Sequence, residues 1–523
     1  MTRPSRLSIR IVCLLLCTAS WAAAADDVTR PNILFIMSDD HAAHAIGAYG
    51  GRLSSLDPTP HIDRLAAEGV LMKNAFCVNG ICTPSRANLM TGQHSHANGI
   101  TTLKGRLEQD RQTLALQMKQ AGYETAIIGK WHLAAEPAAF DFYTVLPGQG
   151  SYFNPIFRTR GPEPWPNNQT RVAGYDSKHS SDAITDISLR WLKNRKKKDE
   201  PFFLMHHFKA PHDNFENAER YDFLYEDVDI PEPDSLWTRG AHGPLSAEQF
   251  GTSVGKRNTR RNMGHHMFVP QELPDDEYKR VSYQRYLKKF LRCVKGVDDN
   301  IGRLLDYLEQ SGELNNTVIV YTADQGFNLG EHDYIDKRWM YEETLHMPFV
   351  VRYPPRFQPG TVCDDLVNNV DYAPTLLELA GVNAAEFPEQ FQGRSFVANM
   401  EGRTPDDWPQ HSYYRYWMHM AHHDNPAHYG IRTKTHKLIF FYGLPLDAAG
   451  AVARPTDAWM ELYDLEQDPH EMRNVVADPA YADVLEELKQ LLLAEKARIG
   501  DTDDKYPELL KRRQQVWGMP DGE

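Results

Sequence analysis

Two polar pairs in this 523-residue chain, Asp39-Asp40 and Asp324-Gln325, each follow directly on a short apolar run. Together they offer three carboxylates and one amide oxygen. That is a hard, all-oxygen donor set suited to Ca2+ and less well to Mg2+, without the Cys and His ligands that zinc prefers. Lys130, His132 and His212 stand at the same place relative to other apolar runs. In open parallel sheets, functional groups collect past the carboxyl ends of the strands. Taken alone, an Asp-Asp pair after a strand reads as a helix cap; the position shared by all these groups is what makes a candidate site.

The runs that carry them must be strands. Residues 33–37, 125–128, 202–206 and 318–322 are short and apolar, as strands buried on both faces are. The pattern predicts helices over 60–69, 113–121, 181–193 and 283–310. Short strands alternating with longer helices define an α/β fold, a large, mostly parallel sheet flanked by helices. Residues 216–271, rich in Pro, Gly, Asn and charge, read as an extended excursion over the sheet edge. From about Trp408 the texture changes: 432–442 and 459–465 predict antiparallel strands and 481–497 an amphipathic helix, a smaller α+β C-terminal domain. The basic run 195–198 reads as a solvated helix end.

Lys+Arg total 57 and Asp+Glu 71, a net charge of −14, with 41% hydrophobic residues. The chain is globular in composition, and its charge argues against broad binding to nucleic acid. A small cationic pocket for an anionic substrate remains compatible with it. Arg3, Arg6 and Arg10 precede an apolar stretch, 11–19, and Ala23-Ala24-Ala25 follows. This predicts a secretory signal peptide cut after Ala25, too short to span a bilayer. No later stretch spans one, so the expected product is soluble and exported, to the periplasm or beyond. The expected organisation is signal peptide 1–25, catalytic domain 26–407 and C-terminal subdomain 408–523. Of the cysteines that remain, Cys77, Cys82, Cys293 and Cys363, there are too few for a disulfide framework. Setting Cys82 aside, at most one disulfide forms among the other three.

The sharpest motif is Cys82-Thr83-Pro84-Ser85-Arg86, accompanied by Gly122-Tyr123-Glu124-Thr125-Ala126 leading to Gly129-Lys130-Trp131-His132. These stretches resemble the two signature regions of the type I, formylglycine-dependent sulfatases of the alkaline phosphatase superfamily. The resemblance extends to residues 32–40, to Lys209-Ala210-Pro211-His212, to Asp324-Gln325-Gly326 through Lys337, and to Glu461-Leu462-Tyr463-Asp464-Leu465. It implies an alkaline-phosphatase-like fold and a Cys82 oxidised before folding to formylglycine (3-oxoalanine) by a formylglycine-generating or anaerobic sulfatase-maturing enzyme. It implies one Ca2+ per chain, bound by Asp39, Asp40, Asp324, Gln325 and the modified Cys82. Many relatives carry Asn where this chain has Gln325, which offers the same oxygen on a longer arm. The hydrated aldehyde would attack sulfur in line, expel the alcohol and then eliminate sulfate. Arg86, Lys130 and Lys337 would clamp the sulfuryl oxygens. His132 would take the proton that drives elimination, and His212 would protonate the leaving oxygen, sharing that role with Lys337.

The region 324–348 is most similar to bacterial sulfatases acting on sulfated glycans, with N-acetylglucosamine-6-sulfate the first expected substrate. Two other functions follow from the same resemblance: a phosphodiester or phosphonate monoester hydrolase, and an inactive glycan-binding homologue. The stretch 413–429 concentrates aromatic residues with His422, His423 and His428, and is expected to form a wall against the glycan.

Overall fold

A computed structural model describes residues 30–171, 178–237, 250–258 and 261–518. The expected signal peptide, 1–25, lies outside the described residues. The strands are β1 (Asn32–Asp39), β2 (Val70–Phe76), β3 (Glu124–Lys130), β4 (Phe142–Leu146), β5 (Phe157–Thr159), β6 (Gln169–Thr170), β7 (Phe202–Pro211) and β8 (Thr317–Ala323). There follow β9 (Asn328–Leu329), β10 (Ile335–Asp336), β11 (His346–Met347), β12 (Phe349–Arg352) and β13 (Thr361–Asn368). The last four are β14 (His411–Tyr416), β15 (His428–Thr433), β16 (His436–Phe441) and β17 (Trp459–Asp464).

Among the described residues the main sheet runs β11-β2-β12-β8-β1-β7-β3-β4-β5-β6, with β13 also on β2. Its centre, from β8 through β1, β7 and β3 to β4, is parallel. Antiparallel strands are added on both sides. Successive β1 residues feed opposite faces: Ile33, Phe35 and Met37 enter one core, Leu34 and Ile36 the other. That two-sided burial is why the central strands are apolar throughout. The helix Asp275–Gln310 covers one face, starting eight residues before the expected boundary; Asp275, Asp276 and Glu277 in its first turn suit the helix dipole. The helices Pro60–Ala67, Thr113–Gln120 and Ser180–Lys193 lie where the pattern puts them.

Several elements escape the pattern. In β13, Asp364 and Asp365 interrupt the apolar period, and the register shifts between Cys363 and Leu366. In β14 the sequence HSYYRY carries mostly polar groups, yet five of its six residues are buried. β14 pairs with β15, so the expected aromatic wall is the edge of an antiparallel sheet, β14-β15-β16-β17. The helices Ala482–Ile499 and Pro507–Trp517 supply Leu492 and Trp517 to its separate core. The described parts of the excursion reach the long helix and two loops. Ile230 N–H donates to Gln284 of the long helix at 2.9 Å, and Gly251 N–H and Val254 N–H donate to the carbonyls of Asp424 and Asp333. Cys77, Cys82, Cys293 and Cys363 are all buried free thiols. No helix among the described residues is long and apolar enough to cross a membrane.

Burial forces several histidines to be neutral. It pushes His94 and His206 down to about 3 and His428 to about 4. The unfolded chain, with histidines near 6.5, binds more protons below that pH, so stability is fully present above about pH 6.5 and is lost as pH falls toward 4. Buried carboxyls such as Asp298 and Asp371, pushed up to about 7 and about 6, act with the opposite sign in the same window. The histidine contribution is therefore read from a variant: the urea midpoint of His206→Gln, relative to the native chain, is expected to improve as pH falls from about 7 to about 5.

Candidate active site

The register of the parallel strands brings the candidate residues together. Ser38 of β1 is level with Ala323 of β8, and Asp39 with Pro211 of β7. Gly129 of β3 is level with His207 of β7. The residues that follow therefore emerge at one end of four adjacent strands. Gly129 makes the last contact possible: it has φ +106°, and a Cβ there would lie 1.8 Å from the His207 carbonyl oxygen. Asp40 takes the left-handed conformation, φ 68°, which Asp tolerates better than most residues. Its N–H donates to Asp324 Oδ1 at 3.1 Å. Gln325 Nε2 donates to the same oxygen at 2.7 Å and to Asp40 Oδ1. Asp39, Asp40 and Asp324 each present an oxygen within 4.8 Å of the others. All three are at most 1% exposed.

Cys82 begins a ten-residue helix, Cys82–Thr91, every residue of which is buried. Its Sγ donates to Asp39 Oδ1 at 3.4 Å and lies 3.9 Å from Lys130 Nζ. Burial, and then the charge of Asp39, push the thiol far up, so it is protonated near neutral pH. One turn on, Arg86 shares the helix face of Cys82. Its Nε donates to Asp324 Oδ2 at 2.9 Å and its Nη1 to the Lys130 carbonyl at 2.8 Å. Lys130 Nζ bonds Asp39 Oδ2, and Lys337 Nζ bonds Asp40 Oδ2 at 2.5 Å. Burial alone would raise the Asp39 carboxyl; Lys130, His212, Arg86 and Lys337 together hold it well below the usual range. Asp324 goes the other way, pushed up to about 7 by burial and then by Asp39, against Arg86. Burial would discharge Lys337, but Asp40 more than reverses this.

The two histidines differ. His132 has φ 54° and a buried Nδ1 with no hydrogen-bond partner; burial and then Lys130 push its imidazole well down, so it is neutral. His212 places Nε2 3.7 Å from Asp40 Oδ2 and Nδ1 2.5 Å from Asp213 Oδ1. Asp213 thus orients the ring from behind.

These groups border a cavity of about 270 Å³ that Cys82, His212 and Lys337 line directly. Larger clefts, of about 720 and 870 Å³, lie along the helix Ser180–Lys193 and hold none of these groups. Arg86 is not on the cavity wall: its guanidinium is turned toward Asp324 and the Lys130 carbonyl. Sequence reasoning missed Ile81, Leu103, Gln149, Asp213, Arg261, Asp336 and Arg338, which also line the wall. A usable signal existed for Asp336 and Arg338, which flank Lys337 and pair with each other; Arg261 sits in the patternless excursion and had none. Of the expected glycan wall, His422 and His423 do line the cavity. His428 does not. It is fully buried with its ring 4.7 Å from Phe441 and stacked near Trp339 and Tyr414. Tyr413, Tyr414, Tyr416 and Tyr429 are likewise interior side chains, because β14 and β15 bury both of their faces.

Comparison with known proteins identifies the family. Residues 31–382 match the Sulfatase family, and residues 330–498 match the family described as N-sulphoglucosamine sulphohydrolase, C-terminal. The chain belongs to the sulfatase family and has the alkaline phosphatase-like fold. An N-acetylglucosamine-6-O-sulfatase of Bacteroides thetaiotaomicron is 37% identical over 98% of this chain and 94% of its own. A solved structure in complex with its substrate, D-glucosamine-2-N,6-O-disulfate, matches with TM-score 0.81 and 36% identity over 92% of this chain and 100% of that one. A phosphonate monoester hydrolase of Silicibacter pomeroyi shares the fold, with TM-score 0.68 and 23% identity over 90% of this chain and 95% of that one.

Replacing Arg86 leaves the buried Asp324 carboxylate without its guanidinium partner. Arg86→Gln is expected to cost about 3–5 kcal/mol. Arg86→Lys, which keeps the charge but cannot reach both Asp324 and the Lys130 carbonyl as the guanidinium does, is expected to fall between it and the native chain. Urea midpoints of the three proteins test this order.

Proposed function

We propose that this chain hydrolyses a sulfate ester on a sulfated carbohydrate, N-acetylglucosamine-6-sulfate first, using Ca2+ and a formylglycine made from Cys82. The observation that carries the proposal is the placing of Cys82 on a small cavity, 3.4 Å from Asp39 and 3.9 Å from the Lys130 ammonium, with Lys337 on the same wall. The named relative and the solved complex both concern amino sugars sulfated at the 6-oxygen, which supports the choice of sugar.

The residues present fit a calcium ion. Asp39, Asp40 and Asp324 converge, and Gln325 Oε1 is buried with no partner beside them, so turning the amide would add a neutral oxygen to the set. When bound, Ca2+ would offset the mutual repulsion of the carboxylates and acidify a hydroxyl placed against it. A hydrated aldehyde at position 82 would supply a hydroxyl nucleophile where the native thiol, held protonated, is a weak one. The other roles belong to residues already placed. Lys337, on the cavity wall, faces the sulfuryl oxygens, and Lys130, behind Cys82, adds positive charge. Arg86 acts as a positioning residue, through Asp324. His132, neutral and without a partner at Nδ1, accepts a proton. His212, oriented by Asp213, delivers one to the departing sugar oxygen. The chain is exported through its N-terminal signal and meets its maturing enzyme as a further partner.

Purified protein from a host with a maturation system is expected to desulfate N-acetylglucosamine-6-sulfate, to stop on chelation, and to recover with Ca2+ more fully than with Mg2+. The peptide containing Cys82 should have the lower mass of the aldehyde. Faster turnover of a phosphonate monoester than of the sulfate ester would overturn the assignment, and an unmodified thiol in that host would favour an inactive glycan-binding protein. Lys337→Ala leaves Asp40 without its cation, so it is expected both to lower the urea midpoint and, in the calcium-loaded protein that remains folded, to lower kcat by about 10²–10³.

A further inference from the structure

His212 can deliver a proton only if its Nε2 meets the departing oxygen, so whatever holds His212 in place is part of the chemistry. Its other nitrogen is fixed by the next residue: Nδ1 lies 2.8 Å from the Asp213 carbonyl and 2.5 Å from Asp213 Oδ1. That contact sets the ring against its own loop. It does not fix the loop, because Asp213 moves with it and has a side chain 52% exposed. The segment just past β7 has to be tied to the sheet by other groups.

Three side chains tie it. Tyr152, 2% exposed and six residues past the end of β4, donates its hydroxyl to the His212 carbonyl. His179 takes Ser181 N–H on Nδ1 and so carries its proton on Nε2, which donates to the Glu216 carbonyl at 2.8 Å. Lys209 places its ammonium 4.7 Å from the centre of the Tyr152 ring and 3.5 Å from the Asp213 carbonyl. Tyr152 and His179 act as one unit: their rings lie 5.3 Å apart, and Ser180 N–H donates to the Tyr152 carbonyl at 2.6 Å. Phe215, whose ring packs near Tyr286, Phe290 and Phe327, pins the far side of the loop. Of these ties, only the one from Tyr152 ends on His212 itself.

We propose that Tyr152 is a positioning residue for the proton donor, its hydroxyl setting where His212 Nε2 stands against the Cys82 cavity. The inference rests on the proposed sulfatase reading and deepens it. It is tested on matured, calcium-loaded protein with a 6-O-sulfated amino sugar. Tyr152→Phe removes the hydroxyl and keeps the ring beside His179 and Lys209, and the His212 carbonyl retains Phe215 N–H at 3.3 Å. The variant is expected to lose about ten- to hundredfold in kcat, as a misplaced group does, with KM within about twofold of native. His212→Ala should lose at least as much. The double variant should be no slower than His212→Ala alone, because nothing is then left to position. An aryl ester, 4-nitrophenyl sulfate, gives a second reading: its phenolate departs without a proton, so Tyr152→Phe should slow it at most about threefold. An unchanged kcat on the sugar, losses that add in the double variant, or equal loss on the two esters would overturn the positioning role and leave the sulfatase reading standing. The double variant decides alone if the aryl ester is refused. Turnover of neither ester by the native protein would overturn both readings. If Tyr152→Phe does not fold, His179→Gln, which frees the Glu216 carbonyl, takes its place with the same pattern expected.

Discussion

Three carboxylates held together away from water are the constraint from which the rest of this molecule follows. Each buried charge carries a desolvation cost of several kcal/mol unless it is paired in good geometry. Asp39, Asp40 and Asp324 are paired one by one, with Lys130, Lys337 and Arg86, and each cation comes from a different part of the chain. Lys130 ends a central strand, Arg86 rides one turn along the helix of Cys82, and Lys337 follows the small ribbon of β9 and β10. Around Lys337 the backbone is forced: His332, Asp333, Asp336 and Arg338 all have positive φ. Such residues cost on the order of 1–3 kcal/mol each and persist where the surroundings over-determine them.

The C-terminal sheet is part of those surroundings. Tyr414 of β14 donates its hydroxyl to the Arg338 carbonyl at 2.6 Å and accepts from Gly80 N–H at 3.2 Å. Arg415 N–H donates to the Val78 carbonyl at 3.0 Å. One strand thus props the turn before Cys82 and the loop that carries Lys337. Gly80 has no room for a side chain against Tyr414, since a Cβ would lie 2.8 Å from its hydroxyl.

How much of this could be read from the sequence depended on where each element's polar groups point. The four central strands were legible because burial on both faces leaves an unbroken apolar run, and the groups just past them were legible with them. β13 and β14 were not, because aspartates or hydroxyl-bearing aromatics fill positions that the fold buries with their hydrogen bonds satisfied. Cys82, Lys130 and Lys337 sit where the motifs put them. Arg86 was legible as a site residue, yet its direction depended on the three-dimensional position of Asp324. His428 misled because a histidine in an aromatic strand looks the same in sequence whether its ring faces a ligand or four other rings. Arg261 lies on an irregular segment, where spacing carries no signal.

The burial of the helix Cys82–Thr91 sets a clock on this protein. Cys82 is 1% exposed and its following turn is enclosed on every side. Under the proposed conversion of Cys82, an enzyme that had to grip the Cys-Thr-Pro-Ser-Arg segment would have to do so while that segment is still unfolded. Once the helix docks, the thiol is sealed in, and no later exposure to catalyst short of unfolding can reach it. On that proposal the fraction of active molecules would be decided by two competing rates, modification against compaction, and delaying collapse would raise it without altering a single contact in the finished protein.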